Sequence, residues 1–130
     1  MHRFSSKSAI VRLKLVSLLL CLKYVLALAT GGILLYSLAK GDDWLTWIAI
    51  GSGVITLLVV LVQWALAAKT RCPLCLTPVL AAKGCSKHRN AQTFLGSHRL
   101  RVALSVLFRG RFYCPYCSEP SVLEVRQKRM

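Results

Sequence analysis

Two cysteine pairs of identical spacing are the residues of this chain best suited to do chemistry. Cys72-Pro-Leu-Cys75 and Cys114-Pro-Tyr-Cys117 each place two thiols on one side of a tight turn. Two such turns supply the four sulfur ligands that a structural zinc ion takes in a tetrahedron. A reactive dithiol instead occurs once, at a helix start in a thioredoxin-like pattern, and no such pattern is present. We therefore predict one zinc held by Cys72, Cys75, Cys114 and Cys117, with iron as the alternative metal, because thiolates also suit iron.

A second candidate ligand pair lies between these turns. Cys85 and His88 have the Cys-x-x-His spacing that also occurs in zinc sites. They could close a Cys₃His site with the first turn or contribute to another site. The favoured interpretation is a free thiol beside a solvent-facing histidine, so Cys85 and His88 are secondary candidates.

The two Cys-Pro-x-Cys turns resemble the knuckles of the zinc-ribbon and rubredoxin group. The resemblance covers the two turns and their flanks, and it implies a small domain in which strand, knuckle and strand follow one another. It departs from that group at Leu76 and Ser118, which stand where glycine usually follows the second cysteine. The segment between the two turns is also long.

The strongest strand pattern lies before the second turn. Apolar residues alternate with polar or small ones from Leu100 to Phe108, which predicts a strand. Gly110 then indicates a turn, and Val122 to Val125 predicts a return strand after Pro120. The pattern favours a β-rich domain around the metal.

The apolar residues are too many for so short a soluble chain. The 130 residues are 55% hydrophobic, yet they carry a net charge of +14. The conflict disappears if the apolar residues face lipid, and two runs have the roughly 20 residues that a helix needs to cross a bilayer. We therefore predict a membrane α-helical hairpin of two transmembrane helices, followed by a small β-rich zinc-ribbon-like domain. The predicted segments are a basic N-terminal segment (1–14), transmembrane helix 1 (15–39), a hairpin loop (40–43), transmembrane helix 2 (44–68) and the metal domain (69–130).

Charge predicts how this hairpin is oriented. Lys and Arg are concentrated before the first run and after the second, whereas the loop Lys40–Asp43 has a net charge of −1. By the positive-inside rule, both termini are cytoplasmic, the loop is external, and the protein is integral to an inner or plasma membrane. The cysteines then lie in a reducing compartment, which favours metal over disulfides. A cleaved signal peptide is the alternative for the first run, but Lys23 interrupts it and apolar residues continue past Ala29.

The predicted metal domain is strongly basic. From Lys69 onward, twelve Lys and Arg residues stand against two Glu, a net charge of +10. Anionic lipid headgroups attract such residues by about 1 kcal/mol each near the membrane surface. We predict contact with an anionic surface through Arg99, Arg101, Arg109 and Arg111, with Arg99 and Arg101 on the polar side of the predicted strand. The alternatives are nucleic acid, stacked on aromatic side chains, and an acidic face of a protein partner.

No pattern in the chain supports an enzymatic reaction. It has only four acidic residues, and it lacks a Ser/His/Asp order, a phosphate loop and paired carboxylates. We therefore predict no small-molecule substrate. The predicted function is non-enzymatic: a membrane anchor displays a zinc module that docks onto a membrane protein complex, a second copy or an anionic surface. The alternative is membrane-bound electron transfer or thiol redox chemistry at the cysteines.

Overall fold

Two long helices and a small head make up the computed structural model, which describes residues 2–80 and 86–125. The head combines a three-stranded sheet, a short helix, the two cysteine turns and the first half of the first long helix. The elements are β1 (His2–Phe4), α1 (Lys7–Lys40), α2 (Asp43–Ala67), α3 (His98–Arg109), β2 (Arg111–Tyr113) and β3 (Pro120–Val125).

A tight turn joins α1 to α2. Helix α1 begins after Ser6, whose side chain accepts a hydrogen bond from the Ala9 N–H at 3.4 Å. It ends at Gly41, which has a φ of 71° and donates its N–H to the Ser37 carbonyl. This left-handed cap suits glycine, because other residues meet a steric penalty there. The chain reverses at once, so α2 runs antiparallel to α1.

Three polar pairs connect α1 with α2. The residues that α1 contributes to these pairs recur every seven positions, a spacing that places them on the face of α1 next to α2. Ala49 is buried in the same interface, and the backbone of Gly53 lies next to the Thr30 methyl group. The pairs are Lys23 Nζ donating to Gln63 Oε1 (3.4 Å), the hydroxyls of Thr30 and Thr56 (3.4 Å), and the hydroxyls of Ser37 and Thr46 (2.6 Å).

The outer surfaces of the hairpin are apolar and exposed. Both helices are long and apolar enough to cross a membrane, with mean hydropathies of 2.1 and 2.4 over their most apolar windows. Only 6% of the most apolar stretch of either helix is buried, whereas a core helix of a soluble protein would be mostly buried by the rest of the chain. Large side chains such as Leu28, Leu38 and Trp44 are three-quarters exposed or nearly so.

The start of α1 belongs to the core of the head. Ile10, Leu13, Val16 and Leu20 are buried there with the inner face of α3. The segment 1–14, predicted as a separate basic tail, thus contributes β1 and the first turns of α1. The core of the head is not confined to 69–130.

The sheet has the order β1–β3–β2. Strand β1 pairs with β3 in parallel, and β2 pairs with β3 antiparallel. Phe4 of β1 and Phe112 of β2 lie on the same side, with ring centroids 6.4 Å apart. The return strand predicted at Val122–Val125 is confirmed within β3, and the three-stranded sheet fits the predicted small domain.

The strand predicted from Leu100 to Phe108 is wrong, because this segment is the helix α3. Ser97 caps the helix by accepting from the Leu100 N–H at 3.4 Å, and Gly110 ends it with a φ of 63°. The buried residues Val102, Ala103 and Val106 follow helical spacing rather than strict alternation.

The helix also separates two arginines that the predicted strand would have aligned. Residues two apart on a helix point about 200° apart, at 3.6 residues per turn. Arg99 and Arg101 therefore lie on different faces of α3.

Candidate metal centre

The first cysteine turn (the first knuckle, Cys72–Thr77) begins five residues after the end of α2. The Cys72 N–H donates to the Thr77 carbonyl at 3.1 Å, and the Leu76 N–H donates to the Cys72 carbonyl at 3.0 Å. Leu76 has a φ of 55°, in the left-handed region. These bonds hold the two thiols on one side of the turn.

The second cysteine turn (the second knuckle, Cys114–Glu119) repeats this arrangement position by position. The Cys114 N–H donates to the Glu119 carbonyl at 3.2 Å, and the Ser118 N–H donates to the Cys114 carbonyl at 2.8 Å. Ser118 has a φ of 58°. Strand β2 leads into this knuckle and β3 leaves it, so the sheet fixes both of its ends. Leu76 and Ser118 thus adopt the conformation that glycine usually provides at this position.

The two knuckles bring four thiols together. The Sγ atoms of Cys72, Cys75, Cys114 and Cys117 all lie within 4.8 Å of one another. Cys75 Sγ and Cys114 Sγ are 3.7 Å apart. A tetrahedron with metal–sulfur bonds of about 2.3 Å has sulfur–sulfur edges of about 3.8 Å, so the spacing fits a single ion. The cluster is compatible with a zinc-ribbon-like knuckle group and could bind a metal ion.

Backbone amides point at the first thiol of each knuckle. A hydrogen bond from Cys114, with help from the N–H groups of Cys75 and Leu74, lowers the pKa of Cys72 to about 5, against the opposing effect of burial. The same contact with Cys72 and burial raise the pKa of Cys114, and burial raises that of Cys117. The Cys72 thiolate therefore forms readily, and Cys114 and Cys117 resist ionisation beside it. A bound cation would remove that resistance, because it compensates several thiolate charges at once.

His88, one of the two secondary ligand candidates, stands apart from this cluster. In the described part of the chain, His88 is exposed and does not belong to the four-thiol group. Its Nδ1 accepts from the Asn90 N–H at 3.2 Å, and its own backbone N–H donates to the Pro115 carbonyl at 2.8 Å. His88 thus braces the second knuckle through its backbone. Cys85 lies outside the described residues.

The four arginines predicted to meet an anionic surface fall into two places. Arg101, Arg109 and Arg111 line one cavity beside the second knuckle. Arg99 lies elsewhere, within electrostatic range of Lys23 on α1. The pairing of Lys23 with Gln63 was not predicted, although the seven-residue recurrence of polar side chains in the first apolar run could have indicated it.

The aromatic side chains divide between core and surface. Phe112 is only 2% exposed and Tyr116 packs against the core, so neither is free to stack on a base. Phe108 and Tyr113 are exposed. An aromatic platform for nucleic acid would therefore lack Phe112 and Tyr116.

Comparison of the chain with protein-family models, with curated proteins and with solved structures finds no match in any of the three.

Proposed function

We propose that this protein is a non-enzymatic, membrane-anchored zinc module. The convergence of four thiols from two equivalent knuckles is the observation that carries the proposal. Zinc is favoured over iron because a closed tetrathiolate without redox demands is the usual structural zinc site. In this account the metal clamps the end of α2 to the strands of the head, since one knuckle follows α2 and the other joins β2 to β3.

The hairpin supplies the anchor in this proposal. At 1.5 Å per residue, α1 rises about 26 Å from Lys23 to Lys40, and α2 rises about 30 Å from Asp43 to Gln63. These lengths match a hydrocarbon core of about 30 Å. We therefore set the start of the first span near Lys23 rather than residue 15, because Val16 and Leu20 are buried in the head.

The head would lie directly on the membrane surface. Few residues separate α2 from the first knuckle, and the Lys23–Gln63 pair lies on the side of the hairpin nearest the head. A basic head held there favours docking onto an anionic surface or onto a membrane protein complex. With both termini cytoplasmic, its cysteines stay reduced and available to metal.

Metal content of the intact protein tests the proposal. Full-length protein purified in a mild, neutral detergent should be colourless and contain one zinc per chain. Cys72→Ser and Cys114→Ser should each lose the metal and the protease resistance of the head, whereas Cys21→Ser, outside the cluster, should keep both. Cys85→Ser should have a much smaller effect than Cys114→Ser. Visible iron–thiolate bands would favour electron transfer instead, and metal-free protein with an oxidisable dithiol would favour thiol redox chemistry.

Reporter fusions test the orientation. Reporters at either terminus should give cytoplasmic signals, and a tag inserted beside Gly41 should be accessible from outside. An external C-terminus would contradict the proposed placement of the head.

A further inference from the structure

An open cavity of about 410 Å³ lies between α3 and the second knuckle. Helix α3 contributes Arg101, Ser105 and Arg109, which recur every four residues and therefore share one face. Strand β2 contributes Arg111 and the exposed Tyr113. Three arginines thus line one concave site, whereas a general membrane-binding surface would need no concavity.

None of the described residues that line the cavity is acidic. The chain has four acidic residues, and none of them lines the cavity. Glu119 follows the cavity-lining Ser118 in the second knuckle, but it is exposed and does not itself line the cavity. Glu124 pairs with Arg3 at 3.5 Å, and Asp42 and Asp43 lie at the far turn of the hairpin. Within residues 2–80 and 86–125, the three cavity arginines have no ion-pair or hydrogen-bond partner for their side chains. Such a site attracts an anion because like charges converge there without compensation.

We propose that this cavity binds a phosphate ester, with Arg101, Arg109 and Arg111 contacting the phosphate oxygens. The planar, forked guanidinium group donates two parallel hydrogen bonds to phosphate, which explains the use of arginine rather than lysine at all three positions. Hydroxyls of Ser105 and Ser118 add further donors around the site. The volume exceeds that of a lone phosphate ion and falls in the range of small-molecule pockets, so the site can also take the organic part of a nucleotide-sized ester.

The cavity is built onto the cysteine cluster. Cys114, Pro115 and Ser118 of the second knuckle form part of its wall. The segment that carries Asn90, on another side, is held to the knuckle by the bond from the His88 N–H to the Pro115 carbonyl at 2.8 Å. Ligand binding therefore requires an ordered second knuckle. This dependence rests on the proposed metal site, whereas the choice of ligand rests on the arginines.

Two sources could supply the ester: a soluble metabolite or a lipid headgroup. Helix α3 lies alongside the start of α1 and runs in the opposite direction. Its first residues lie near Lys23, because Arg99 is in electrostatic range of that side chain. Its end lies near β1, because Phe112, just after the helix, packs near Phe4. Arg109 follows Arg101 by about 12 Å along the helix, in the direction away from the proposed membrane boundary. The outer part of the cavity therefore faces water, where a soluble ester has direct access.

Calorimetric titration of the full-length, metal-loaded protein in neutral detergent tests the proposal. One arm uses AMP as the soluble ester, and the other uses dioctanoyl phosphatidylglycerol as the lipid headgroup. For whichever probe binds, Arg109→Gln and Arg111→Gln should each weaken binding roughly ten- to hundredfold, which is the loss expected for hydrogen bonds to a charged group. Arg99→Gln is the matched control, because it removes the same charge from the same helix outside the cavity.

Ser105→Leu adds a test that leaves the charge unchanged. The larger side chain occupies cavity volume, so it should weaken AMP binding at least tenfold if the organic part of the ester enters the cavity. Metal content and melting temperature of every variant establish that the head remains folded. Binding of either probe that depends on Arg109 and Arg111 but not on Arg99 supports the proposal.

Two results would overturn the inference. One is that neither probe binds the intact, metal-loaded protein at millimolar concentration. The other is that Arg99→Gln weakens binding as much as Arg109→Gln, which would mean that the probe is attracted by the overall positive charge of the head and not by the cavity. A metal-free but folded protein that still binds AMP through these arginines would overturn the zinc module while leaving the phosphate site standing.

Discussion

Leu76 and Ser118 adopt a backbone conformation that most residues avoid. Their φ values of 55° and 58° lie in the left-handed region, where a non-glycine residue costs roughly 1–2 kcal/mol. A hydrogen bond offsets this cost, because the backbone N–H of each residue donates to the carbonyl of the first cysteine in its knuckle. Both knuckles therefore contain a left-handed residue at the same position without using glycine there.

Leu76→Gly should stabilise the head. Leu76 is 65% exposed, so its removal forfeits little burial, and glycine relieves the left-handed strain. After allowing for the greater freedom of glycine in the unfolded chain, we expect a gain of about 0.5–1 kcal/mol in the free energy of unfolding. Thermal melting of the metal-loaded protein in detergent measures it. Leu74→Gly, in the same knuckle without a left-handed φ, should lower the stability; equal losses in both variants would refute the strain argument.

The cysteine cluster could be predicted from sequence whereas the arginine cavity could not. The Cys-x-x-Cys spacing itself places two thiols on one side of a turn, so only the meeting of the two turns had to be assumed. Arg101, Arg109 and Arg111 come together because α3 is a helix followed directly by β2. A strand over this segment would place Arg99 and Arg101 on one face, so it does not predict a cavity that contains Arg101, Arg109 and Arg111.

At the scale of elements, the sequence around α3 satisfies two patterns at once. Its apolar residues at every second position fit a strand, and Val102, Ala103 and Val106 fit one face of a helix. The decisive signals were the ends: Ser97 before the segment and Gly110 after it are a helix N-cap and C-cap. The long apolar helices left less ambiguity, because only a helix satisfies its own backbone over such lengths in lipid.

The hairpin offers a matched test of its packing. Ala49 is 2% exposed in the interface between α1 and α2, whereas Ala27 faces outward on α1. Ala49→Leu should overpack the interface and lower stability by about 1–3 kcal/mol. Ala27→Leu should leave stability unchanged in detergent. Melting temperatures of the two variants decide the matter, and equal effects would mean that the helices do not pack through Ala49.

For the whole molecule, the main departure from expectation is the role of the N-terminus. The head was predicted to occupy 69–130, but Phe4, Ile10, Leu13, Val16 and Leu20 complete its core. Sequence could not reveal this, because the apolar residues near the start of α1 lead into the predicted transmembrane run with only single basic residues between them. Burial against α3 and the outer face of a predicted membrane span both call for apolar side chains, and only the tertiary structure shows which of them are buried in the head.

A fragment of residues 69–130 should therefore fail to fold even with zinc. It lacks five large buried side chains, each contributing about 1.5–3 kcal/mol through removal from water. Joining residues 1–22 to the fragment through a flexible linker should restore zinc-dependent protease resistance. Independent folding of the 69–130 fragment with zinc would show that the N-terminal segment is dispensable.

We propose that the two knuckles, one after α2 and one between β2 and β3, together hold one zinc through four thiolates. X-ray absorption at the zinc edge, on full-length protein purified in detergent, tests it most directly. We predict one zinc per chain with four sulfur neighbours at about 2.3 Å. A zinc shell containing nitrogen would instead implicate His88, and iron or no metal in place of zinc would contradict the account.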